Sequence, residues 1–275
     1  MKVDGSPIND RTSAANSPSA STDRTEQISR TGALGKLLKR ALHWWLRSQL
    51  DHLDSLHIAI DGSNRQILSG CIPRVVLAAE NAVYQGIALR WVQVTTQQIR
   101  VSTSEILQGH PLVLSEPIPI DIQVQLTEAD INASLATDHH NAPSLLANAL
   151  YEVLQAWWQS TQNPITQERL TEAIALCAAP TPTQMQIQLQ PDGLLWEIAN
   201  HQRNQPAQTC ILQTGLQAHP PSQLQLQQPH IQIDPPCQWL PLAEYAWDLG
   251  PEVTIDELTL ETGQLSGKAR LQVNP

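Results

Sequence analysis

From Ile118 to Leu126 every second residue is aliphatic, with Ile118, Ile120, Ile122, Val124 and Leu126 separated by Pro119, Asp121, Gln123 and Gln125. Successive side chains of a strand point to opposite faces, so this run predicts a strand with one face buried and one solvated. Pro117 and Pro119 favour an edge or an entry point for it. The same period of two governs Leu56, Ile58 and Ile60, and shorter strand patterns follow at 75–79, 87–94 and 99–101. Asp61-Gly62-Ser63-Asn64 supplies a turn, and Asn81 and Tyr84-Gln85-Gly86 read as turn or bulge positions. Beyond residue 184 strands are expected at 185–189, 194–198, 210–212, 224–226, 231–233, 253–255, 258–260 and 269–273, separated by turns that contain Pro, Gly or Asn. Gln184, Gln186, Gln188 and Gln190 occupy the alternate face of an apolar strand, which reads as an uncharged, wettable outer surface rather than a prion-like tract.

Helical spacing interrupts this pattern in three places. Residues 32–53 put Leu34, Leu37, Leu38, Ala41, Trp45 and Leu46 on one side and Lys36, Arg40, His43 and Arg47 on the other. Thr127 caps a short helix, with Asp130 placed for a capping box. Residues 143–158 form a second amphipathic helix through Leu146, Leu150, Val153, Leu154 and Trp157, with Pro143 at a first position that needs no N–H. Residues 1–31 are polar, with almost nothing to bury, and read as a disordered tail. The 41% apolar content is enough for 32–275 to form a single domain with its own core.

A formal net charge of −10 argues against nucleic acid as a partner, because binding a phosphate backbone needs a basic face. The exception is local: Arg30, Lys36, Lys39, Arg40 and Arg47 share a stretch without an acid. Cys71, Cys177, Cys210 and Cys237 form no C-x-x-C pair and read as reduced, packed thiols. No run reaches the length of a membrane span, and the N-terminus lacks the basic-then-apolar order of a secretory signal, so an intracellular, soluble or peripheral location is expected.

Signals for catalysis are weak. Gly32-Ala33-Leu34-Gly35-Lys36 has the wrong spacing for a phosphate loop, and Asp138-His139-His140 is a short cluster better explained as a solvated loop than as a metal site. The acid pairs Asp51 with Asp54 and Glu128 with Asp130 sit at helix ends, where carboxylates are ordinary. No nucleophile elbow or zinc-binding H-E-x-x-H is present, so no catalytic residue, cofactor or metal is assigned. The basic helix keeps two readings. Its apolar side covers the open face of a sheet, or it lies in a membrane interface with its cations on anionic head groups. Adjacent Trp44 and Trp45 cannot share one narrow stripe, so one of them faces outward or meets lipid.

Segments 53–60, 68–73, 83–87, 105–109, 126–132, 248–250 and 258–265 together resemble the LmeA-like phospholipid-binding family, in particular its cyanobacterial branch. The likeness runs in order from about Leu37 to Val273. It implies an α+β fold, an elongated, twisted antiparallel sheet wrapped around two amphipathic helices, similar to tubular lipid-binding domains. It also implies a non-enzymatic protein that holds acyl chains of phospholipid in an apolar groove between sheet and helices. On patterning, Ile58, Ile60, Leu77, Leu89, Ile122, Val124 and Trp45 are the lipid-facing candidates, and Lys36, Lys39, Arg40, Trp44 and Arg47 the candidates for contact with an anionic membrane surface. The alternative is a protein-interaction or scaffold module whose β core is filled by its own side chains.

Overall fold

The computed structural model describes residues 33–100, 116–136, 145–177, 183–191, 193–200, 208–234 and 237–274. Within them, the side chains of Ala33, Leu34, Gly35, Leu37, Leu38, Ala41, Trp45, Gln49, Leu145 and Thr183 are not described. The expected tail at 1–31, Pro143 and the Asp138-His139-His140 cluster lie outside these residues.

The strands are long, and they sort into two antiparallel sheets rather than one. Sheet 1 has the order β1 (His52–Asp61), β2 (Cys71–Tyr84), β3 (Ile87–Arg100), β4 (Ile118–Thr127), β12 (Gln264–Val273) and β11 (Val253–Glu261). Sheet 2 runs β10 (Tyr245–Asp248), β8 (Gln223–Ile233), β7 (Gln208–His219), β6 (Gly193–Asn200) and β5 (Thr183–Gln190), with β9 (Leu240–Pro241) also paired to β8. Several separate strand patterns are thus halves of one strand. At the join of the two short patterns in β8, Gln228 adopts φ +45° beside Pro229, and in β11 the register shifts between Ile255 and Glu257. Such irregularities interrupt the period of two without ending the ladder. Gln85 and Gly86, at φ +48° and +79°, close the tight β2–β3 hairpin as the turn signal predicts.

The first helix, α1 (Ala33–Gln49), is shorter than its pattern, because His52 and Leu53 already pair with Val83 and Ala82 in sheet 1. The Asp61–Asn64 turn continues into a helix, α2 (Asn64–Leu68), which Ser63 and Gln66 open with a reciprocal capping box. Thr127 and Asp130 form the expected reciprocal bonds at the start of α3 (Glu128–Ala136). Helix α4 (Leu145–Ser160) is followed by α5 (Pro164–Cys177), which pattern reading missed. Its start signal is nevertheless present: Asn163 Oδ1 accepts from the Ile165 and Thr166 N–H groups, and Pro164 occupies the first turn.

Both α4 and α5 lie on sheet 2. Leu150, Val153, Leu154, Trp157, Leu170, Ala173 and Leu176 bury themselves against Ile187, Trp196, Ile198, Cys210, Leu212 and Ile231. Helix α1 instead lies on sheet 1, where Leu42 and Leu46 meet Ile58, Ile60, Ile72 and Val75. The expectation of one sheet wrapped around two helices is therefore replaced by two sheets with separate helical covers. Helix α3 joins them. The Asn132 amide donates to Ile187 O at 2.9 Å and accepts from Ile187 N–H at 2.7 Å, and Glu128 accepts from Leu189 N–H at 2.9 Å. These side chains satisfy backbone groups on the free edge of β5 that another strand would otherwise take.

Candidate functional site

Register lines up one face of sheet 1 into continuous apolar rows. Ile60, Val75, Thr96, Ile120, Leu271 and Val253 are cross-strand neighbours, as are Ile58, Leu77, Val94, Ile122, Ala269 and Ile255. A third row is Leu56, Ala79, Val92, Val124, Gly267 and Leu258, and a shorter one ends in Leu126, Leu265 and Leu260. At about 3.3 Å per residue and about 4.8 Å between strands, the rows from Ile120 to Leu126 cover roughly 20 Å by 24 Å. The reverse face carries Gln93, Gln123, Gln125, Lys268 and Arg270 at the intervening positions.

This face is covered unevenly. Helix α1 seals the β1–β2 side, where Ile58 and Ile60 are buried. At the far edge Ile255 and Leu260 of β11 are buried, Leu260 within the sheet 2 core, and the rows between the two edges are less covered. Val92, Val94, Ile120, Ile122, Val124 and Leu271 accordingly remain half-buried.

At the Leu126 end the same rows run into a partly open cavity. It measures about 220 Å³ and is lined by Leu126, Leu265 and Ile87 from sheet 1, Ile131 of α3, Leu146, Ala149, Leu150 and Val153 of α4, and the inner face of sheet 2, including Leu189, Trp196, Leu216, Leu226 and Trp247. Its walls are aliphatic and aromatic, the kind of lining that leaves a cavity of about 150 Å³ dry and able to take an apolar guest. Among the described residues two buried polar side-chain atoms have no hydrogen-bond partner: Thr96 Oγ1, on the apolar face, and Nε1 of Trp196, a residue lining the cavity. An unpartnered buried donor costs about 1–3 kcal/mol, and both fall on the same route.

The sequence-derived lipid candidates divide along this route. Ile58, Ile60 and Leu77 lie in the cluster beneath α1, as core; Ile122 and Val124 stand in the open part of the face. Leu89 is half-buried opposite Ala82, beyond the break in the strand at Asn81 (φ +49°), towards the cavity. The side chain of Trp45 lies outside the description. None of the other six lines the cavity, most of whose wall comes from α4 and sheet 2. The alternation within β5, β6 and β7 showed which residues face inward but not that α4 leaves a gap above them.

The basic candidates are all on the outside of α1. Lys36, Lys39, Arg40 and Arg47 are exposed, and Trp44 is 79% exposed. No described helix is long and apolar enough to cross a membrane.

The acid pairs are engaged in structure. Asp51 accepts from Gly86 N–H, Glu128 from Leu189 N–H, and Asp130 binds Thr127 and Arg90. Asp54 is held below the usual carboxylate range by hydrogen bonds from Asn81 and then His52. Among the described residues no three His, Cys, Asp or Glu side chains gather as for a metal ion. The four thiols are free, and Cys237, expected to be packed, is exposed.

The sequence model of the LmeA-like phospholipid-binding family matches residues 30–270, across both sheets and all the described helices. The chain belongs to this family. No curated protein and no solved structure gives a match. This LmeA-like family is described by phospholipid binding.

Proposed function

We propose that the protein binds phospholipid without converting it, laying an acyl chain along the open part of the sheet 1 face and seating its end in the cavity beneath α4. The observation that carries this reading is continuity: Leu126 and Leu265 belong both to the apolar rows and to the cavity wall. One leaflet of a bilayer core is about 15 Å deep, so a face of roughly 20 Å has the length for one chain. Each methylene moved from water onto such a surface contributes about 0.8 kcal/mol, which needs no arranged polar chemistry. An anionic membrane surface is the source and acceptor of the lipid, met by Lys36, Lys39, Arg40, Trp44 and Arg47 on α1. An unfilled cavity and an uncovered face favour this reading over a scaffold with a self-filled core.

Native mass spectrometry of the purified protein, with extraction and identification of the lipid, tests the reading. The expected result is a phospholipid adduct in the wild type and its loss in Ile122→Asp, which places a charge on the open face. Wild-type protein that neither carries phospholipid nor takes it up from vesicles sinks the proposal.

A further inference from the structure

The cations of this protein divide into two sets. Arg90, Arg100, Arg169, Lys268 and Arg270 each hold a carboxylate, to Asp130, Glu116, Glu172, Glu257 and Asp256. Among the described residues, Lys36, Lys39, Arg40 and Arg47 of α1, Arg65 of α2 and Arg74 near the start of β2 are exposed and in no ion pair. These elements are neighbours, because α2 packs on both α1 and β2. Among the described residues of this acidic protein the unneutralised positive charge is thus gathered at one corner.

The same corner carries the two most exposed large apolar side chains, Trp44 at 79% and Leu68 at 64%. Trp44 sits on the helical face away from Leu42 and Leu46, which pack on sheet 1, and Arg40 and Arg47 are its neighbours one turn back and one turn on. Leu68 ends α2, and none of its five residues is buried. Apolar side chains ringed by free cations are what an interfacial site on an anionic bilayer requires: the cations meet head groups while the indole and the leucine enter the acyl boundary.

The position of the corner relative to the lipid route is fixed by register. Helix α2 lies beyond the Asp61–Arg74 pair, at the end of the strands opposite Ile87, Leu126 and Leu265, which wall the cavity, and α1 packs on α2 and along β1, which it enters through Asp51 beside Val83 and Gly86. We infer that the α1–α2 corner is a docking surface for anionic membranes, with Trp44 and Leu68 as inserted anchors, and that docking brings the α2 end of the apolar face to the bilayer. This deepens the lipid-binding reading and rests on it for purpose, not for the docking itself.

Flotation with vesicles of phosphatidylcholine and phosphatidylglycerol in equal parts, and of phosphatidylcholine alone, tests the inference on the full chain. Wild type is expected to float with the anionic vesicles, to be released by high salt, and to stay behind with the neutral ones. Each cation near an anionic surface is worth about fivefold in partitioning, so Lys36→Gln, Lys39→Gln, Arg40→Gln and Arg47→Gln together should lower binding by more than about a hundredfold before salt screening. Trp44→Gln with Leu68→Gln should lower it by about tenfold, and both positions are exposed enough to leave the fold intact. Equal binding to neutral vesicles, or unchanged binding in the Trp44 and Leu68 variant, overturns the inference. Bound phospholipid is read separately, by native mass spectrometry of the wild type. Its absence from the wild type while flotation survives would count against the groove and leave the docking surface standing.

Discussion

The two sheets are built from the same alternating pattern and end in opposite states. On sheet 2 the inner face is closed: Ile198 and Cys210 are fully buried, and α4 and α5 supply Leu154, Leu170 and Ala173, fully buried as well. On sheet 1 the equivalent face is closed under α1 and at the β11 edge, where Ile255 and Leu260 are buried, while Val92, Val94, Ile122 and Val124 between them stay half-buried. Equal hydrophobicity therefore does not mean equal contribution to stability. Sheet 2 with its helices holds the fold, and the open part of sheet 1 keeps apolar area in reserve for a guest. The cavity lies where the two regimes meet.

That contrast is broken or sharpened by substitutions on each side. The largest effect belongs to the closed side. Leu154→Ala and Leu170→Ala should each cost about 2–5 kcal/mol in denaturant unfolding, since both side chains are fully buried. Costs below about 1 kcal/mol would mean that the sheet 2 core is as loosely held as sheet 1.

A pH effect is likewise confined to the closed side. Burial pushes the Cys177 thiol up to about 12 from an ordinary value of 9.0, and Cys210 higher still in the same direction. With folded values raised, the unfolded chain ionises first as pH climbs. Stability is complete below pH about 9 and falls as pH rises from there towards 12, by up to about 1.4 kcal/mol per pH unit per thiol. Unfolding at a series of alkaline pH values should show a steeper decline in the wild type than in a variant with both cysteines replaced by alanine. Equal slopes would place these thiols in contact with water.

How far these two regimes could be read from sequence depends on the kind of signal. Alternation at Ile118–Leu126 located β4 and its apolar face, and the Thr127–Asp130 spacing located the start of α3, because both are local periodicities or caps. Pairing of β4 with β12 brings together residues far apart in sequence, and no local pattern specifies such a partner. Helix α5 escaped because Thr166, Leu170, Ala173 and Leu176 make a weakly apolar stripe, although Asn163 and Pro164 mark its start. The open face was legible as residues, in Ile122 and Val124, but not as open. That distinction depends on where α1 and α4 come to rest, as does the cavity, which collects walls from ten separate strands and helices.

The smallest expected change in stability is the one that best separates the two sheets. Replacing Ile122 and Val124 together by threonine keeps β-branching, so the strand preference of β4 is preserved. Both side chains are half-buried with no helix over β12 beside them, so the loss of packing should stay within about 1 kcal/mol. A bound acyl chain, by contrast, would lose apolar contact at two adjacent rows of its path. If each substitution removes contact equivalent to about one methylene, the combined loss of roughly 1.6 kcal/mol lowers lipid affinity by about tenfold. Unfolding and lipid uptake measured on the same preparation should therefore diverge, with an unchanged midpoint and a clear fall in uptake. A variant that loses stability and lipid in proportion would show that this face is core, and that sheet 1 differs from sheet 2 in degree only.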